Sequence, residues 1–232
     1  MDRTLTLYHG SSLILKRPLF GKGNQLNDYG IGFYCTETLE VAKEWACSTA
    51  QDGFVNRYSF RTDDLSILNL TDGNYTILNW LSILLMNRKF NLSSDIATLG
   101  KEYLVSTLLP PYEDYDVIIG YRADDSYFSF ASAFLNNTIS LAQFERAMSL
   151  GKQGEQVVLK SEQSFFHLRF EESIPAEGTI YYPKKVTRDS EARAAFCKEY
   201  KAPLVLDAVY MIDILREEWK NDGTRLRGSI PE

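Results

Sequence analysis

The sequence has no apolar run long enough to cross a membrane. Its nearest candidate, Trp80 to Met86, is closed off by Asn79 and by Asn87–Arg88, whereas a spanning helix needs roughly 18 apolar residues. A short core helix is expected there instead. Cysteine and histidine are scarce: Cys35, Cys47 and Cys197 show no C-x-x-C spacing, and His9 and His167 are the two histidines. Without that spacing and with two histidines, a structural zinc site is not expected. The start of the chain lacks the charged segment, apolar run and small-residue cleavage site of a secretory signal, so the expectation is a cytoplasmic, reduced, metal-free protein. Positive charge is not in excess: Lys and Arg total 25 against 31 Asp and Glu, for a net charge of −6. This excludes a nucleic-acid binder held mainly by phosphate neutralisation, though a local basic patch is compatible with it. Internal repeats, low-complexity tracts, a GxxxxGK[ST] loop and a strand–GxGxxG–helix context are missing as well.

What is present is an ordinary globular composition over 232 residues, 44% hydrophobic and 13% aromatic, enough for one large domain or a domain with an appendage. Leu5 to Tyr8 alternates as a strand ending in the polar turn His9-Gly10-Ser11-Ser12, and a glycine-rich loop runs from Gly21 to Gly32. Thr38 is a plausible N-cap for a helix between Thr36 and Thr49. Strands are expected at Val55–Phe60, Leu65–Leu70, Tyr115–Gly120 and Gln156–Lys160. Helices are expected at Tyr75–Phe90, Leu99–Leu109 (stopped by Pro110-Pro111) and Ser140–Leu150. Strands and helices without regular βαβ alternation predict an α+β fold. A boundary is expected before Pro175, with a domain at residues 1–174 and an appended subdomain or cap at 175–232. Within that cap Thr179 to Tyr182 reads as a strand, Ser190 to Tyr200 as a charged helix, and a last helix ends near Trp219.

Several residues invite a chemical reading beside a bland one. His9, next to Gly10, sits where a ligand could approach the backbone closely, or it caps a turn. His167 lies among Phe165, Phe166 and Leu168 and reads as structural. Tyr34 and Trp45, eleven residues apart, are core aromatics or the two walls of a slot for a flat ring. Gln153-Gly154-Glu155-Gln156 opens a strand with polar groups able to hold a hydroxyl or a cationic transition state, or is a solvated strand entry. Asp124 and Asp125 after Arg122 read as a charged loop.

Taken in order, Leu7-Tyr8-His9-Gly10-Ser11, Gly30-Ile31-Gly32-Phe33-Tyr34, Trp45-Ala46, Tyr115-Asp116 through Gly120 to Ala123-Asp124-Asp125, and the strand at Gln156 resemble ADP-ribosyltransferases. The similarity is to the His-Tyr-Glu branch, which includes diphtheria toxin and the poly(ADP-ribose) polymerases. Closer still, the chain is similar to a bacterial family of that superfamily, often encoded in toxin–antitoxin-like operons, with a His-Tyr-Gln pattern. The resemblance spans residues 5 to 170. It implies a split β-sandwich core with peripheral helices and a C-terminal extension, and NAD as co-substrate without a metal. His9 would then bind the 2′-hydroxyl of the nicotinamide ribose, the Gly10 backbone would grip the carboxamide with support from Ser11, and Tyr34 and Trp45 would enclose the nicotinamide. A serine that often helps the carboxamide falls at Ala42, and Ile31 replaces a customary lysine.

The third triad position falls on Gln156 when counted without a gap, or on Glu155 after a one-residue shift that makes Gln153-Gly154-Glu155 mimic a Gln-x-Glu motif. Only one of two adjacent strand residues can enter the cleft. The activity implied is NAD-dependent mono-ADP-ribosylation of an unknown acceptor, protein or nucleic acid, by a bacterial toxin or defence effector with a possible antitoxin partner. The alternatives are an NAD glycohydrolase and a catalytically weak NAD-binding or protein-interaction module.

Overall fold

The computed structural model describes residues 4–49, 51–123, 125–149, 154–201 and 207–220. In chain order the elements are β1 (Thr4–Ser11), β2 (Phe33–Cys35), α1 (Leu39–Ala46), β3 (Gly53–Arg61), β4 (Ile67–Asn69), α2 (Ile77–Asn87), α3 (Asp95–Leu108), β5 (Val117–Tyr121), α4 (Asp125–Leu135), α5 (Leu141–Ser149), β6 (Glu155–Leu159), α6 (Glu162–Phe166), β7 (Leu168–Ala176), α7 (Gly178–Tyr200) and α8 (Met211–Glu217). The mixture is α+β. No helix among the described residues is long and apolar enough to cross a membrane.

The chain divides into two compact units, each assembled from separate stretches. The first comprises residues 1–69, 111–122 and 153–188 and holds two sheets: a three-stranded one in the order β1-β3-β7 and a four-stranded one in the order β2-β6-β5-β4. All pairings are antiparallel except β4 with β5. Their apolar faces share a core of Leu5, Leu7, Phe33, Cys35, Tyr58, Phe60, Val117, Val157 and Leu159, which explains the period-two alternation at the start of β1. On the other face of β1 and β3, α1 packs its small residues Ala42 and Ala46 with Cys47, Val55 and Ala176. The three cysteines are free, Cys35 and Cys47 buried and Cys197 exposed.

The second unit takes residues 70–110, 123–152 and 189–232 and is helical where described. Helix α2 is buried on almost every side, as the Trp80–Met86 run predicts. Its start is a capping box between Thr76 and Asn79. Ser94 Oγ accepts the Ala97 N–H at 3.2 Å, so α3 begins four residues before the expected Leu99. In the core of this unit Phe134 and Phe144 stack with ring centroids 5.2 Å apart, and Trp80 packs tilted against Phe144.

Four expectations need correction. The turn placed at His9-Gly10-Ser11 is strand: each of these residues faces a partner on β3, Asn56, Val55 and Phe54 respectively. A nine-residue template thus overrides the local turn signal. The charged loop at Asp125 is the first residue of α4, while Asp124 lies outside the described residues, as do Leu150 and Gln153. Thr179 to Tyr182 is not a strand but the opening of α7. There the Gly178 N–H donates to Asp52 Oδ1 at 2.8 Å, an acid at a helix N-terminus, and Tyr181 and Tyr182 pack on the α1 cluster. Pro183 forgoes one ladder bond in the second turn of α7. Finally, the boundary expected between residues 174 and 175 falls inside β7, where Pro175 stands opposite Phe54 and Ala176 opposite Gly53.

Candidate functional site

Strands β1 and β2 meet at a single antiparallel bridge and then part. Tyr8 and Thr36 exchange backbone bonds of 2.8 and 3.0 Å; continued pairing would next join Gly10 to Tyr34, but β1 follows β3 and β2 follows β6. Backbone groups alternate sides along a strand, so the N–H and C=O of Gly10 turn, like those of Tyr8, toward the edge that β2 has left. The gap is spanned by a side chain. His9 Nδ1 lies 2.7 Å from the Tyr34 carbonyl, and its ring stacks on Phe33 at 4.4 Å. A carbonyl only accepts, so Nδ1 carries the proton and Nε2 presents a lone pair. Burial holds the His9 pKa below its ordinary value, outweighing the opposite pull of the Tyr34 hydrogen bond.

Gly10 is required by what lies above it. A Cβ there would stand 2.0 Å from the Ala42 carbonyl oxygen, 2.6 Å from the Ala46 nitrogen and 3.0 Å from Trp45 Cβ. Helix α1 therefore rests directly on β1 and brings Trp45 to the parting strands. The Arg122 guanidinium lies over the Trp45 ring, 4.3 Å from its centroid. The indole Nε1 is buried and has no hydrogen-bond partner among the described residues, a cost that a polar ligand would relieve. Glu44, on the same helix, pairs with Arg188, and burial raises its pKa against the pull of Arg188, Arg122, Lys184 and Lys185.

The end of the glycine-rich loop is clipped onto the neighbouring sheet. Tyr34 Oη donates to the Gly30 carbonyl at 2.7 Å and accepts the Tyr29 N–H at 3.0 Å. Tyr29 Oη donates to the Tyr121 carbonyl at 2.7 Å. Lys160 Nζ donates to the carbonyls of Tyr29 and Ile31 at 2.6 and 2.8 Å, so the ammonium beside Ile31 comes from β6's own exit. Burial lowers the Lys160 pKa.

The two adjacent candidates on β6 separate. Val158 faces Tyr34 across the strands, and Gln156, two residues before it, shares that face. Gln156 is 3% exposed and its Nε2 donates to Asp28 Oδ2 at 3.1 Å and to the Tyr121 carbonyl at 3.3 Å. Glu155 is exposed and begins the strand on the opposite face. Ser11 turns inward on its own loop: its Oγ donates to the Leu13 carbonyl at 2.5 Å. His167 caps α6, with Nδ1 3.1 Å from the Arg61 carbonyl.

The contacts close a circuit: His9 to Tyr34, Tyr34 to Tyr29, Tyr29 and Gln156 to Tyr121, Arg122 to Trp45, and Trp45 back to Gly10. Three contributors escaped the sequence reading. Asn56, fully buried, accepts the Leu15 N–H through Oδ1 at 2.7 Å and donates through Nδ2 to the Leu13 carbonyl at 3.1 Å. It staples the loop after β1 opposite His9. Asp28 and Arg122 are the others. Nothing in their spacing marks them, although a carboxylate one residue before a Tyr-Gly turn and an arginine one residue past a central strand are readable as candidates.

A family model described as a protein of unknown function (DUF3990) matches residues 5–170. The chain belongs to that family. The matched span contains every residue of the circuit and stops within β7. No match is found among the curated proteins or among the solved structures.

Proposed function

We propose that the chain is an NAD-dependent mono-ADP-ribosyltransferase, with the split β-sandwich of that superfamily and its site at the parting of β1 and β2. The observation that carries this reading is the closed circuit around the edge of Gly10. It offers a backbone donor and acceptor for a carboxamide, a neutral histidine, two aromatic walls and a buried amide. Nicotinamide needs this combination, a flat ring carrying an amide, attached to a ribose with hydroxyls to hold.

In this reading the Gly10 N–H and C=O take the carboxamide oxygen and nitrogen, and the Trp45 and Tyr34 rings bound the pyridine. Tyr34 offers only its face, because its hydroxyl is committed to the loop. His9 Nε2 accepts from a ribose hydroxyl, and Gln156 Oε1 accepts from another. The bond from ribose C1′ to the pyridine nitrogen breaks with its electron pair going to the ring, so neutral nicotinamide departs and positive charge develops on the sugar. An acceptor lone pair then forms the new bond to C1′, and the acceptor's proton passes to solvent. Acceptor choice is assigned to the loop from Gly21 to Tyr29. A bacterial toxin or defence effector, with an antitoxin partner, is the biological setting the resemblance supports.

The test is nicotinamide release from NAD by the purified chain, with and without cell lysate as a source of acceptors. Release in wild type that falls about 10²-fold in Gln156→Ala and not in Glu155→Ala is the expected pattern. NAD bound without release, even with lysate, would replace the transferase with a binding module. Release whose ADP-ribose ends as the free sugar nucleotide would make the chain a glycohydrolase.

A further inference from the structure

We infer that Asp28 supplies, through Gln156, the negative charge that a glutamate would carry on β6; this rests on the transferase reading above. Asp28 is 5% exposed, an unusual place for a loop carboxylate. It is held on the Tyr34 face by the residue after it, since the Tyr29 N–H bonds Tyr34 Oη, while its Oδ2 lies 3.1 Å from Gln156 Nε2.

The orientation of the Gln156 amide follows from its partners. A carboxylate and a backbone carbonyl both accept only, so the nitrogen must face Asp28 and Tyr121, and both amide hydrogens are committed. Oε1 is then the polar group left for the sugar. An anion bonded to the N–H side of an amide pushes electron density onto its oxygen, which makes Oε1 a stronger acceptor. It also sets a full negative charge one side chain behind the developing cation, in a buried setting where charges act strongly. Gln156 alone orients; Gln156 with Asp28 both orients and stabilises. Asp28 is thus a positioning and electrostatic residue acting through another side chain, and the charge has moved from the strand to the loop beside it.

A charge swap tests this. Nicotinamide release and the melting temperature are measured for wild type, Asp28→Asn, Gln156→Glu and the double variant Asp28→Asn/Gln156→Glu. Asp28→Asn keeps the size and the hydrogen-bonding shape but removes the charge. The expected result is a kcat lower by about 10- to 100-fold with KM for NAD within about twofold and melting little changed. Gln156→Glu alone sets two carboxylates in contact, which share one proton and so keep a single negative charge; release is expected to persist, with its pH dependence shifted by that shared proton. In the double variant one carboxylate remains, now on the strand, and kcat recovers toward wild type. Wild-type release with an unchanged kcat in Asp28→Asn would overturn the inference and leave the transferase reading standing. So would a loss in Asp28→Asn that follows the melting temperature and is not recovered by Gln156→Glu. Absence of NAD turnover in wild type, with lysate present, would overturn both.

Discussion

At the scale of single residues the proposed site depends on which groups stay neutral. His9 has a pKa held below its ordinary 6.5 by burial. The unfolded chain therefore binds the proton more readily than the folded one. Stability is full above about pH 6.5 and is drawn down as pH falls from there toward the folded value. The same protonation would remove the Nε2 lone pair. Urea midpoints and nicotinamide release compared at pH 7.5 and pH 5.5 are expected to fall together in wild type. In His9→Gln, which has no titrating proton, the pH dependence of the midpoint is expected to flatten. A midpoint with equal slope in both proteins would show that His9 is not the group titrating. His9, Tyr34 and Gln156 stood out in the sequence as candidates because their neighbours are distinctive: a glycine after an alternating segment, a glycine-bounded aromatic pair, a glutamine near the start of a strand. Asp28 and Asn56 did not. Polar residues signal exposure by default, and both are buried only because segments distant in sequence converge on them, Gln156 of β6 on Asp28 and the loop at Leu13 to Leu15 on Asn56.

At the scale of elements the decisive fit is the crossing of α1 on β1. Gly10 on β1 and Gly53 on β3 let the helix backbone come so close, and Ala42 and Ala46 keep the helix side equally thin. Gly10→Ala puts a methyl where the Ala42 carbonyl oxygen stands, 2.0 Å away. Because a helix backbone cannot swing aside as a side chain would, the substitution is expected to destabilise by about 3 kcal/mol and to displace Trp45. Chemical denaturation and the tryptophan emission spectrum check this. A variant that melts as wild type does would contradict the close approach. Element types were read well where the apolar pattern was long, as in α2, α3, β3 and β6. They failed at Thr179 to Tyr182, where four β-favouring residues are too short a window to outweigh a helix continuing to Tyr200. Helix α4 was missed for a related reason: its acidic start resembled a loop. The partner strand that extends β1 through Ser11 lies some fifty residues away, beyond any local pattern.

At the scale of the whole molecule, the first unit draws on three separate stretches of the chain, and its third strand on the β1 sheet is β7. Ending the chain at residue 174, where composition suggested a boundary, would remove Ala176, Tyr181 and Tyr182 from the cluster beneath α1. It would also remove the end of β7 that covers Phe54 and Gly53. The lost apolar cover is worth about 3–5 kcal/mol, a large share of a typical domain's stability. A chain of residues 1–174 is expected to melt without a cooperative transition or to be insoluble, judged by circular dichroism against the full chain. A cooperative transition near the wild-type temperature would vindicate the boundary at 174. By itself the sequence determined the periodicities of the longer apolar segments, the α+β mixture, and the order of the motifs that place His9, Tyr34, Trp45 and Gln156 as candidates. Those are local properties, decided within a few turns or alternations of backbone. Tertiary structure alone decided where β1 leaves β2, which of Glu155 and Gln156 is buried, and that Asp28 meets an amide 128 residues away. Each depends on register between strands remote in sequence, and register is settled by the energy of the assembled core rather than by any segment within it.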